Sequence, residues 1–203
     1  MKHRAPPLHP FRALSLGAMA ALVLFLSVHP AAATQVRSLS LEQLTNKAGR
    51  IVAGRCTRVE VIHDSATGRP ITAVTITIDR TLKGRQEGVI TFRMTGPSRG
   101  ARTAGLPAFS PGEEVVLFLY PESRSGHTSP VGLGQGKFVV QHGKDGGKIA
   151  RNLHGNRRLF LGLSAGAGAR IEPLRRGRAT DGPLHRETLL EMIQGLVAAG
   201  AGP

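Results

Sequence analysis

The alternation of apolar and polar positions changes period early in the chain. Ser40-Leu-Glu-Gln43 has the form of a capping box, and Leu41, Leu44 and Ala48 share one helical face, which predicts a short helix ending near Gly49. Residues 51–62 then read as a long strand with a bulge or bend at Gly54, and turn chemistry follows over residues 63–70. Residues 74–79, Val-Thr-Ile-Thr-Ile-Asp, alternate strictly, so the pair predicts a hairpin with one face buried. After the tight connection Leu82-Lys83-Gly84, residues 89–94 alternate again, with Ile90, Phe92 and Met94 inward. Residues 114–120, Glu-Val-Val-Leu-Phe-Leu-Tyr, are apolar on both faces, which predicts a central strand stopped by Pro121.

A turn over residues 126–130 leads into Val-Gly-Leu-Gly-Gln-Gly-Lys-Phe-Val-Val at 131–140. A Walker loop would need glycine five residues before the Gly136-Lys137 pair and a hydroxyl after it, but Val131 and Phe138 stand there. The dinucleotide fingerprint fails as well, because Gly132, Gly134 and Gly136 run into β-branched residues rather than opening a helix. Alternating glycines strip one face of side chains, so the stretch reads as a bent barrel strand that a strand, a helix or a ligand can approach closely. Residues 148–153 add an edge strand, and the chain is then basic and glycine-rich to about Arg178. Beyond it, Leu189, Ile193 and Leu196 fall at helical spacing behind Pro183, in a first turn that tolerates proline. The expected fold is mainly β: an antiparallel five- or six-stranded OB-like barrel with a short N-terminal helix and a C-terminal helix.

The first residues change the picture of where this fold works. Lys2, Arg4 and Arg12 precede an uncharged run over 13–28 and the triplet Ala31-Ala32-Ala33, the three parts of a secretory signal. The alternative is a retained N-terminal membrane anchor. Cleavage, favoured by the alanines after Pro30, starts the mature chain near Thr34 and leaves no transmembrane segment behind; no cysteine follows at once to take a lipid. The expected organisation is a signal peptide over 1–33, the barrel domain over 34–147, a basic Gly/Arg-rich loop or edge segment over 148–182 and a helix over 183–199, with a secreted or periplasmic location. Cys56 is the sole cysteine, so no intramolecular disulfide forms, and a small buried hydrophobe is the preferred reading over a reactive thiol.

The formal net charge is +14, and removing the three basic residues of the leader leaves about +11, which predicts attraction to anionic surfaces. With no tryptophan and one tyrosine, Tyr120, stacking platforms are scarce, which argues against nucleic acid.

The order of a short helix, Ile51 to Arg55, Thr81 to Gly84, Phe109 to Leu119 and Val131 to Phe138 resembles a family of small exported bacterial proteins, many of them uncharacterised, over residues 37–142. Their core in turn resembles the netrin-like, or TIMP-like, OB barrel. That resemblance implies engagement of an exported protein such as a protease. The zinc-chelating N-terminal cysteine of TIMP inhibitors does not carry over, because this chain would begin near Thr34 and holds only Cys56.

Catalytic candidates are few. Gly162-Leu-Ser-Ala-Gly166 matches a nucleophile elbow, with Asp181 and His185 downstream, but the flexible Ala-Gly-Ala-Gly-Ala-Arg run after Ser164 offers no strand-turn-helix scaffold. His63, His127, His142, His154 and His185 are scattered without a repeated ligand spacing, and read as solvent-facing. Glu113 and Glu114 point to opposite sides of a strand and are no acid/base pair. No catalytic residue, cofactor or metal is assigned. The reading is an exported, non-catalytic interaction module that engages an extracellular protease or another cell-envelope partner; the alternatives are a secreted serine hydrolase using Ser164 and a polyanion or membrane-surface binder. Candidate contact residues are Arg99 and Arg102 in the loop over 96–111, Gly132, Gly134 and Gly136, and Arg175, Arg176 and Arg178 in the basic segment. Over residues 148–186 nine basic residues face two acidic ones, and two readings stand: a solvated tail, or a tether to anionic lipid or cell-surface polymer.

Overall fold

A computed structural model describes residues 37–64, 67–95, 107–175, 182 and 184–200. The signal peptide expected over 1–33 lies outside the described residues, as do Asp181 and Pro183. The elements, in chain order, are α1 (Leu41–Lys47), β1 (Arg50–His63), β2 (Pro70–Lys83), β3 (Val89–Met94), β4 (Glu114–Leu119), a 3-10 turn (Leu133–Gly136), β5 (Lys137–His142), β6 (Lys148–Asn152), α2 (Ala165–Arg175), β7 (Leu184–His185) and α3 (Arg186–Gly200). The strands form one seven-stranded sheet in the order β3-β2-β1-β4-β5-β6-β7, antiparallel at every pairing.

The protein is therefore mainly β, with three helices on an open sheet among the described residues. The closed five- or six-stranded barrel is not found. Two features of the chain account for the difference. β6 and β7 continue the sheet beyond β5, and among the described residues β3 is linked to the end of β4 only through isolated bridges to the β4–β5 connection, Arg93 with His127 and Leu119 with Pro130.

Each face of the sheet has its own core. On one face Ile51 and Ala53 of β1, Val116 and Phe118 of β4 and Phe138 of β5 pack against Leu41 and Leu44 of α1 and Leu189, Leu190 and Ile193 of α3. On the other, Val52, Cys56, Val74, Ile76, Ile90, Phe92, Val115 and Leu117 form a second cluster, with Phe109 set edge-on to Phe92 at 5.6 Å. β4 contributes to both, which is why it is apolar on both faces; all six of its residues are buried. A fully buried leucine, isoleucine or phenylalanine contributes about 1.5–3 kcal/mol, so these two clusters carry the fold without any disulfide.

Gly54 bends β1. A Cβ there would stand 2.1 Å from the Thr77 carbonyl oxygen, and the β1–β2 register shifts at Ala53/Gly54. The capping box of α1 forms as the sequence predicts: the Gln43 amide N–H donates to the Ser40 hydroxyl (3.3 Å) and the Ser40 N–H to the Gln43 side chain (3.1 Å).

Three expectations change. The single strand expected over 131–141 is a 3-10 turn followed by β5, because Gly132 takes a left-handed conformation (φ 61) that ends the extended chain. The flexible run after Ser164 is helix α2, anchored by buried Ala167 and Ile171 in spite of Gly166, Gly168 and Pro173. The C-terminal helix begins at Arg186 rather than Pro183, since Leu184 and His185 pair with β6 as β7.

Candidate functional site

Two structures are built around β4: a cleft at its C-terminal end, and a polar clasp along its flank that runs from Gly136 beside Phe118 to Glu113, which the Lys137 side chain reaches. The cleft, of about 250 Å³, is lined by Arg50, Arg85, Thr91, Phe92, Tyr120 and Glu122 among others. One wall is the edge of β3. The Arg93 carbonyl accepts from Thr128 N–H at 2.9 Å, so at odd-numbered positions of β3 the main chain points away from β2. Val89 and Thr91 therefore present N–H and C=O on that same edge, and among the described residues no strand pairs with it.

The opposite wall is held rigidly. Gly49 donates to the Leu119 carbonyl at 2.9 Å, and a Cβ on Gly49 would lie 2.9 Å from the Pro121 Cα. Thr128 Oγ1 donates to the Tyr120 carbonyl (2.7 Å), Tyr120 N–H to the Ser129 carbonyl (3.1 Å), and Gly132 N–H to the Tyr120 hydroxyl (3.3 Å). At the rim Glu87 holds two cations, Arg50 at 2.8 Å and Arg85 at 3.1 Å. Val89 is 53% exposed beside it. The arrangement offers main-chain donors and acceptors, an aromatic wall and balanced charge, a surface suited to extended polypeptide rather than to bond-making chemistry.

The clasp is the glycine-rich stretch and the lysine after it. Gln135, buried, accepts from Leu39 N–H (2.7 Å) and donates to the Arg37 carbonyl (3.0 Å), so the chain before α1 is stitched to the turn before β5. Gly134 and Gly136 are buried. A Cβ on Gly134 would meet the Leu153 side chain at 2.5 Å, and one on Gly136 would meet the Val131 carbonyl oxygen at 2.6 Å and the Phe118 carbonyl oxygen at 3.0 Å. The close approach that alternating glycines imply is thus made to the protein's own chain, to a side chain at Gly134 and to backbone at Gly136. Lys137, also buried, binds Glu113 at 2.6 Å and the Ala108 carbonyl, with its ammonium 4.4 Å from the centre of the Phe109 ring. Burial pushes the neighbouring Cys56 thiol up from its ordinary pKa, and the Glu113 carboxylate adds to the rise, so the thiol is kept protonated and inert.

Other sequence candidates fall at separate places. Ser164 caps α2: its hydroxyl donates to Glu42 at 2.7 Å and accepts from Ala167 N–H at 3.2 Å. His185 lies on β7, 3.7 Å from Asp145, so the elbow's downstream histidine is occupied elsewhere. Glu114 faces away from Glu113, paired with Lys148 at 2.8 Å and Arg186 at 3.0 Å. Arg175 is bound to Glu172 (3.4 Å) and stacks on Phe160 (5.0 Å). Arg99, Arg102, Arg176 and Arg178 lie outside the described residues. His127, read as solvent-facing, bridges Asp64 at 3.3 Å and Ser125 at 3.1 Å, which ties the turn before Pro130 to the tip of the β1–β2 hairpin. Among the described residues no three His, Cys, Asp or Glu side chains gather to hold a metal ion, and no helix is long and apolar enough to cross a membrane.

Sequence reasoning missed Gln135, Lys137 and the Thr91 edge. A polar residue inside an apolar, glycine-punctuated run was the available signal for the first two. No family model matches this chain, and no curated protein matches it.

Proposed function

We propose that this is an exported, non-catalytic interaction module that takes an extended segment of a partner protein along the free edge of β3, with the partner's side chains entering the cleft before Tyr120. The observation that carries the reading is the outer main-chain edge of β3 at Val89 and Thr91, which no strand pairs among the described residues and where Thr91 lines that cleft. An edge strand with satisfied neighbours and an unsatisfied outer side is a template for one more strand. The basic leader with its apolar run and alanine triplet supports export, which makes an exported protease or another envelope protein the partner class. The resemblance to netrin-like exported proteins agrees with this reading.

The test is hydrogen exchange on the protein alone and with the exported fraction of the producing cell. The amides of Val89 and Thr91 exchange rapidly in the free protein and become protected when the partner binds. The variant Thr91→Pro, which removes an outward-facing donor from an edge strand, loses the partner while its thermal unfolding stays cooperative. A captured partner that leaves both amides unprotected and tolerates Thr91→Pro would overturn the reading.

A further inference from the structure

We infer that the loop over residues 153–162 is a docking element for an anionic lipid surface, independently of the β3 cleft. Five large hydrophobic side chains are exposed among the described residues; Tyr120 lines the cleft, Val89 opens β3, Val61 lies near the tip of the β1–β2 hairpin, and the remaining two, Leu153 at 62% and Leu161 at 58%, sit on this one loop. Arg157 and Arg158 lie between them, and Arg151 immediately precedes them; all three are exposed. Leucines flanked by arginines on an exposed loop match a headgroup region in two ways: the apolar tips enter the acyl boundary, and the cations stay among the phosphates.

The loop is fixed before it binds anything. Asn156, buried, holds a left-handed conformation (φ 64). Its side chain donates to the carbonyls of Ala150 (3.0 Å) and Gly182 (2.8 Å) and accepts from Asn152 N–H (2.9 Å). Asn152 in turn accepts from the amides of His154 (3.0 Å) and Asn156 (2.9 Å). Leu159, also buried, accepts from the first amide of α1, Leu41 N–H, at 2.7 Å. The loop therefore plugs its base with Asn156 and Leu159, and leaves Leu161 and most of Leu153, whose inner side rests on Gly134, at the surface. A preformed loop loses little conformational freedom on docking. The cations that accompany the exposed leucines are Arg151, Arg157 and Arg158, all on the surface.

The occupant is a bilayer with anionic headgroups rather than an acidic polymer, because a polymer gives the leucines nothing to enter. The apolar run over 13–28 has its own affinity for lipid, so the experiment must report from the loop. Leu161→Cys in the full chain can be labelled selectively with an environment-sensitive fluorophore, since Cys56 is buried. Phosphatidylglycerol vesicles should shift its emission to the blue, and the shift should fall with added salt. Adding Leu153→Ser to the labelled chain should shrink that shift severalfold while thermal unfolding stays cooperative, and dextran sulfate should leave the emission where it stands in buffer. An unshifted probe on vesicle-bound protein would overturn the inference, as would an equal blue shift on dextran sulfate. The same holds if wild-type protein ignores the vesicles.

Discussion

Two glycine-rich stretches of this chain, residues 132–136 and 166–168, look alike in sequence and are opposite in structure. In the first, glycine is demanded by space: a side chain at Gly136 would collide with the main chain of Val131 and Phe118. In the second, nothing lies within 4 Å of a Cβ at Gly168, and the residues wind into α2 with the rest of the helix. One stretch is fixed by what surrounds each glycine. The other is fixed by its ends and its buried side chains, through the Ser164 cap on Glu42 and through Ala167 and Ile171 in the core. Glycine content alone therefore says little; the contacts of the missing Cβ decide whether glycine is a requirement or a weakness.

The comparison breaks most readily at Gly136. Gly136→Ala should cost about 3 kcal/mol, because rigid backbone rather than a flexible side chain stands in the way; chemical denaturation of the two proteins measures it, and a loss below about 1 kcal/mol would show that the turn can move. Ser164→Ala should cost about 1 kcal/mol, the usual loss of a helix cap, read from the same denaturation curves together with loss of amide protection in the first turn of α2. The smallest effect has the opposite sign. Gly168→Ala should stabilise the protein by up to about 1 kcal/mol, seen as a higher Tm, since alanine loses less backbone freedom in a helix and meets no neighbour; a lower Tm would mean that α2 needs the glycine after all.

How much of this was legible in the sequence depended on whether the signal was local. The strict alternation of residues 89–94 and the two-sided apolar run of β4 gave strands whose inward residues are Ile90, Phe92 and Met94 and whose core residue Phe118 is fully buried. The capping box before α1 was equally readable, since both of its partners lie within four residues. α2 was not, because glycine, proline and arginine disfavour a helix that tertiary contacts impose. β7 was not either, since two residues, Leu184 and His185, have no period. The cleft brings Arg50, Thr91 and Tyr120 together from three strands or their ends, and such a meeting is a property of register, which alternation leaves open. The clasp was half visible: the glycines announced a close approach, but the partner was the protein's own chain.

The seal on α1 sets the order in which the molecule can be completed. Its first amide is satisfied by Leu159, its Glu42 side chain by Ser164, the segment before it by Gln135, and its apolar face by α3. Every one of those groups is made 96 or more residues later than the residue it closes. During synthesis the capping box can hold a nascent turn, but its leucines have no lid until α3 has emerged. Such non-local closure makes folding slow relative to helical proteins of the same size, and it keeps the chain pliable for as long as it is being made.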